Sequence, residues 1–317
     1  MHQLNASFGR GINFGNMLDA PSEGDWGLRV SDEFIDLVGK GGFTNSVRLP
    51  VRWSNHASRD AAAVIDPIFF ARVDEVLDKL LARGVTVILN MHHYRQLDGD
   101  APDTDFSVKP AVLKARFLAM WKQIAERYAG RSEDRLIFEL YNEAHGRLEP
   151  DWNDLVSRAV RVVRNSNPNR AIVVGPARWN SVDALASLVL PADPNLILTV
   201  HTYEPFEFTH QGATWVSPMK PTGQDCCSPG QLARMTAVLD KTVREATRLG
   251  YPCFIGEFGV YEKAPDAARL RYAREMRDAM ESRGLPWFWW ELAAGFGVYD
   301  PKAHRFKQGL RDALYGR

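Results

Sequence analysis

The chain has 317 residues, 45% of them apolar and 25% charged, which suits a large buried core and excludes a disordered or fibrous protein. Lys plus Arg and Asp plus Glu each number 39, so no net positive field draws nucleic acid or an anionic membrane, and a neutral partner fits the balance. No apolar run approaches the roughly 18 residues of a membrane span, and three cysteines are too few for a structural zinc site or a disulfide framework.

Taken in chain order, short β-branched or aromatic runs alternate with longer stretches of helical period. The runs are Gly11 to Asn16, Thr44 to Pro50, Val85 to His92, Leu136 to Glu143, Ala171 to Pro176, Asn195 to Tyr203, Cys253 to Val260 and Pro286 to Leu292. Between them lie amphipathic segments: Pro67 to Arg83, Ala111 to Tyr128, Asp151 to Asn165, Gly230 to Leu249 and Ala267 to Arg283. Several end at glycine, as helix C-termini commonly do. Eight strand and helix units in this length predict an α/β protein, a (β/α)8 TIM barrel of about 250 residues plus insertions. A doubly wound sheet is the rival, but Gly11-Ile-Asn-Phe-Gly-Asn16 lacks the glycine spacing of a dinucleotide site. No linker divides residues 1–317, which are expected to form a single catalytic domain. Cys226 and Cys227 are expected as two loop thiols, with a vicinal disulfide the alternative, and Cys253 as a buried one.

Side chains alternate along a barrel strand, so the residues that share the interior can be counted back from each strand end. The count places Ser46 with Arg48, Asn90 with His92, and Glu139 with Tyr141 and Glu143 facing inward. On later strands it gives Thr199 with His201 and Tyr203, Ile255 with Glu257, and Phe288 with Trp290. Their outermost members are polar or aromatic and sit at C-terminal strand ends, where barrel enzymes keep their active sites. Glu143 and Glu257 stand out, because paired carboxyls at such tips can hold different protonation states and so hydrolyse glycosidic bonds. The plain alternative is two unrelated structural carboxylates. Glu139, four residues deeper than Glu143, reads as a buried ion-pair member, and Arg48 as the partner that keeps Glu257 ionised.

The run Asn142-Glu143, the Gly-Glu-Phe-Gly around Glu257, and Val47-Arg-Leu-Pro50 resemble glycoside hydrolase family 5, in its bacterial endoglucanase branch. Further matching segments are Arg10 to Asn16 with Glu23-Gly-Asp-Trp-Gly27, Asn90-Met-His-His-Tyr94, His201-Thr-Tyr203 and Trp290 to Gly297. The resemblance covers nearly the whole chain. It implies a retaining endo-β-1,4-glucanase, with Glu143 as acid/base and Glu257 as nucleophile. Burial apart, ionised Glu257 is expected to keep Glu143 protonated by like-charge repulsion. Asn142 is implied as a donor to the sugar 2-hydroxyl, although strand parity points it away from Glu143. His92 and His201 are implied as the active-site histidines, Tyr203 as a donor to Glu257, and Trp290 as the platform beneath the sugar beside the cleaved bond. Asn16, Glu23 and Trp26 are implied substrate contacts from the first matching loop. Phe206, Trp215 and Trp179, like Trp26, are expected to line other subsites or to hold loops, and His93 either to support the site from behind or to touch sugar at the cleft edge.

The long insertions, Arg95 to Pro110 and Glu204 to Pro229, are expected to wall an open cleft and so permit endo action. The expected partner is a β-glucan polysaccharide or oligosaccharide, with no nucleic acid, membrane or cofactor; no metal is expected, since the first strand lacks an HxH pair. A β-mannanase, a mixed-linkage β-1,3-1,4-glucanase and a non-catalytic polysaccharide-binding barrel are the alternatives. A monomer is expected. Met1 to Arg10 lacks the apolar stretch of a secretory signal, yet action outside the cell is expected, with the signal absent from this chain and a cytoplasmic location the alternative.

Overall fold

The computed structural model describes residues 1–100 and 108–316. Eight parallel strands close into a barrel in sequence order. They are β1 (Arg10–Asn13), β2 (Ser46–Leu49), β3 (Thr86–Asn90), β4 (Leu136–Glu139), β5 (Ile172–Val174), β6 (Leu196–His201), β7 (Cys253–Phe258) and β8 (Trp287–Trp289). Closure is made by β8 against β1, with Gly11 opposite Phe288. A Cβ at Gly11 would fall 2.3 Å from the Phe288 ring, so the missing side chain is what lets that ring fill the barrel. Among the described residues no helix is long and apolar enough to cross a membrane.

All five expected helices form: Pro67–Ala82, Leu113–Arg127, Trp152–Arg164, Pro229–Leu249 and Asp266–Glu281. Their ends follow from local chemistry. Ser228 and Gln231 make a reciprocal capping box ahead of Pro229–Leu249, and Gly250 closes that helix at φ 81°. Trp152–Arg164 buries Trp152, Leu155, Val156, Ala159, Val160 and Val163 on one stripe. Each large side chain in it contributes roughly 1.5–3 kcal/mol of burial. Sequence periodicity does not predict the short helix His2–Ser7 or the terminal helix Gln308–Tyr315, both too short to give a clear repeat.

The barrel interior has two layers. The lower one is apolar: Ile88, Ile137, Val173, Ile197, Phe254 and Phe288 meet, and Phe8, following His2–Ser7, plugs the bottom. The upper one is polar and belongs to the site. Parity holds on β2, β3 and β6 but fails on β7, where Phe254 rather than Ile255 faces inward. Register shifts between Val200 and His201 and between Ile255 and Phe258 account for this, and they still deliver Glu257 opposite His201.

One cysteine expectation is corrected. Cys226 and Cys227 are bonded to each other, while Cys253 is free and buried as expected. The bond lies in the loop 204–228, whose course is also set by buried Gln211, hydrogen-bonded at both ends of its amide to Gln224.

Candidate active site

Arg48, fully buried on β2, organises the polar layer. Its Nε and Nη2 donate to the two Glu139 oxygens at 2.6 and 2.7 Å. Nη1 donates to Glu257 Oε1 at 2.6 Å and Asn13 Oδ1 at 2.9 Å, and Nη2 also reaches Asn142 Oδ1 at 2.7 Å. Burial alone would lower the Arg48 pKa; Glu139 and Glu257 reverse that and raise it, so the guanidinium stays charged. Glu139 is thus the ion-pair member anticipated.

Glu257 has both oxygens engaged, Oε1 by Arg48 and Oε2 by the Tyr203 hydroxyl at 2.9 Å. Burial raises its pKa, while His201, Arg48 and the Tyr203 hydrogen bond pull the other way. Tyr203 is itself raised well above the ordinary tyrosine value, by burial first and then by Glu257 and Glu143, so it remains a donor.

Glu143 lies past the end of β4 in the left-handed region, φ 54°. Alternation therefore fails beyond Glu139 on β4. The strand stops at Glu139, and Leu140 and Tyr141 pack into the outer core. Tyr141 donates to Asp98 Oδ2 at 2.5 Å rather than facing the interior. The left-handed turn then lets Asn142 and Glu143 both reach the cleft, which alternation forbids; such a conformation costs on the order of 1–3 kcal/mol and clusters at working sites. Glu143 has its pKa raised to about 7. The cause is burial first, then Glu139, opposed by Arg48 and His145; the like-charge repulsion expected from sequence falls on Glu257, which Glu143 raises. Oxygens of Glu143 and Glu257 lie within 4.8 Å of each other and of a His201 nitrogen.

The pair opens into a cleft of about 780 Å³ lined on one side by Asn16, Trp26, His92, His93, Asn142, Tyr203, Trp215 and Trp290. Trp290 stacks parallel to His92 at 5.3 Å, and a Cβ on Gly15 would lie 2.5 Å from its ring, which fixes the platform from below. His92 is kept neutral, its pKa lowered by burial and then by His93 and Arg48. His93 stands edge-on to Trp26 at 5.9 Å on the cleft rim. Trp215, 60% exposed, leans on Tyr261. A second groove of about 520 Å³ continues past Glu143 between Trp179 and Phe206. Phe206 belongs to this groove, stacked on His210 at 4.2 Å, and Trp179 stacks on His145 at 4.7 Å. Of the expected wall Arg95 to Pro110, residues 101–107 lie outside the described residues.

Glu23 is not in the cleft. It accepts from Arg72 and from the Val30 amide, tying its loop to helix Pro67–Ala82. Sequence reasoning missed three cleft carboxyls, the buried Asp19 and Glu291 and the exposed Glu262. Asp19 accepts from the Asn16 and Met17 amides, and burial lifts it to about 6. Glu291 accepts from Asn16 Nδ2 and the Phe296 amide, and burial lifts it to about 8. Position was the available signal for these two buried groups: each lies within three residues of a matched motif position, Asn16 or Trp290.

Two groups of described residues bring three potential metal ligands within 4.8 Å, Asp19 with His92 and His93, and Glu143 with His201 and Glu257. In the second, Glu257 is already bound by Arg48 and Tyr203, and Glu143 by His201 Nδ1 at 2.7 Å.

A family model described as Cellulase (glycosyl hydrolase family 5) matches residues 9–295. Endoglucanase H of Acetivibrio thermocellus is 33% identical over 315 residues, covering 97% of this chain and 33% of that protein. Cellulase/esterase CelE of the same organism is 30% identical over 313 residues, covering 92% and 36%. The chain thus spans about a third of the length of these two relatives. The solved structure of endoglucanase Cel5A from Thermotoga maritima superposes with a TM-score of 0.92 at 41% identity, covering 99% of both chains. Structures of that protein in complex with cellobiose and with mannotriose superpose equally well, at 40% identity. With the family match spanning nearly the whole barrel and both carboxyls facing one cleft, the chain belongs to glycoside hydrolase family 5.

Proposed function

We propose that the protein is a retaining endo-β-1,4-glucanase in which Glu257 attacks the anomeric carbon and Glu143 is the acid/base. One observation carries the reading: oxygens of the two carboxyls lie within 4.8 Å of each other, close to the ~5–5.5 Å separation of carboxyl groups in retaining enzymes and short of the ~6.5–9.5 Å that leaves room for water in inverting ones. Arg48 and Tyr203 hold one oxygen each of Glu257 and favour its anion. Glu143, lifted to about 7, is still protonated in about half of the molecules at neutral pH. Glu257 forms the glycosyl ester as Glu143 protonates the leaving oxygen; Glu143, now a carboxylate, then takes a proton from the water that cleaves the ester.

The sugar that becomes esterified would rest on Trp290, and the leaving portion would run along the groove past Glu143 toward Trp179 and Phe206. Two adjoining grooves that share Glu143, Tyr203 and His210 suit a chain threaded through from end to end, hence endo action. A mannan is the second reading, favoured by the mannotriose complex of Thermotoga maritima Cel5A. A disulfide persists in oxidising surroundings, which agrees with action outside the cell.

The test is product analysis on a soluble cellulose derivative, mixed-linkage glucan and mannan, with the anomer of the first product read by NMR. Glucan cleavage to β-configured products is expected, and Glu257→Ala should lower turnover by roughly 10⁴-fold or more. Inverted product, retained turnover in that variant, or loss of activity to a chelator would overturn the reading.

A further inference from the structure

His201 stands between two carboxyls and an amide. Its Nδ1 lies 2.7 Å from Glu143 Oε1 and 3.7 Å from Glu257 Oε2, while its Nε2 lies 3.2 Å from Asn180 Nδ2. Burial lowers the His201 pKa to about 4, so the ring is neutral and its single proton sits on one nitrogen only. A lone pair at Nδ1 would point at two carboxyl oxygens, whereas a proton there bonds the nearer and is attracted by the farther. Nε2 must then accept, and Asn180 is placed to donate.

The surroundings hold this arrangement. Asn180 is 1% exposed and its Oδ1 has no hydrogen-bond partner, so among the described residues its side chain bonds His201 alone. A Cβ at Gly175 would fall 2.2 Å from that oxygen and 2.7 Å from Nδ2, and one at Gly256 would fall 2.8 Å from His201 Nε2. Both glycines therefore let the amide and the ring meet. Asn180 is also the last of three consecutive left-handed residues, after Arg178 and Trp179, in a turn that Asn tolerates better than most side chains.

We propose that Asn180 is a positioning residue: it fixes His201 as its Nδ1–H tautomer, so that Glu143 Oε1 accepts a hydrogen bond and Oε2 is left to carry the catalytic proton. The proposal rests on the reading of Glu143 as acid/base. The charged and titratable groups facing Glu143 are Arg48 on β2, Glu139 on β4, His201 on β6, Tyr203 just past it, Glu257 on β7 and His145 in its own loop. Of these His201 alone donates to its carboxyl, and only the tautomer decides whether it does. Loss of that donor removes support for the carboxylate and moves the Glu143 pKa up.

The test uses the whole protein with Asn180→Leu, which removes the amide donor, and Asn180→Asp, which keeps its shape but offers only acceptors. Two measurements are made: ¹⁵N shifts of the His201 ring, and kcat/KM against pH for aryl β-cellobiosides of graded leaving-group basicity. In the unaltered protein Nδ1 carries the proton and Nε2 is bare; in both variants the Nε2–H form gains population. For basic phenols kcat/KM falls roughly ten- to hundredfold, while the dinitrophenyl substrate, which needs no acid, stays within about twofold. The alkaline limb moves to higher pH. A proton on Nε2 in the unaltered protein, an unchanged tautomer in Asn180→Leu, or an equal loss on every substrate would each overturn the proposal. Glu143→Gln is measured alongside. If it too shows no selective loss on basic leaving groups, the acid/base reading fails and the proposal with it; if it does and the Asn180 variants do not, only the tautomer role fails.

Discussion

The two halves of the barrel interior are built on opposite principles. Below, Phe8, Ile88, Ile137, Val173, Ile197, Phe254 and Phe288 fill space and are held by shape alone. Above, one guanidinium is shared among Glu139, Glu257, Asn13 and Asn142, and every member depends on the others. Apolar packing degrades gradually when a side chain is trimmed, because neighbours relax into the space. A buried ionic network does not, because removing one charge strands the rest. The same barrel thus combines a tolerant floor with an exacting site.

The largest break in this contrast is Arg48→Met. It leaves Glu139 and Glu257 buried without their counter-ion, and a loss of roughly 3–5 kcal/mol in unfolding free energy is expected, together with collapse of turnover, read by denaturant titration and kinetics on the same sample. Phe288→Ala should cost a comparable or smaller amount, about 3–5 kcal/mol less whatever the neighbours recover by collapse, yet leave kcat per folded molecule within a fewfold. If Phe288→Ala damaged kcat as badly as stability, the two layers would not be separable. The mildest test alters nothing but pH. Glu143 must be protonated to act as acid, so kcat/KM should fall as pH rises through about 7. Glu257 must be ionised, so kcat/KM should also fall on the acid side, in a limb above the ordinary glutamate value because burial raises its pKa. A profile flat from pH 6 to 9 would contradict the burial of Glu143.

Much of the site was legible because it sits at strand ends and strand ends are marked by their apolar runs. Arg48, His92, His201, Tyr203 and Trp290 all reach the cleft or the network beneath it, as alternation and the family resemblance anticipate. Asn142 does too, by a route that alternation alone did not contain: the left-handed Glu143 next to it. Glu23 was misplaced because an acidic residue in a matched loop looks the same whether it faces sugar or Arg72. Asp19 and Asn180 were overlooked because neither lies in a strand run, and Glu291 because alternation turns it outward beside Trp290; contact with Asn16 or His201 gives them meaning. The Cys226–Cys227 bond was likewise missed, since two adjacent thiols read alike whether joined or free.

Sequence by itself determined the repeating strand and helix order, the five main helices, and which two glutamates close the fourth and seventh apolar runs, since periodicity, capping residues and apolar run length are local properties. Only the tertiary structure decided which residues touch. Closing the barrel sets the register slip on β7 that aims Glu257, the backbone reversal that aims Glu143, and the burial that raises the proton affinity of both. Those depend on distances between segments more than 100 residues apart, and desolvation exists only once the chain has closed around the charge.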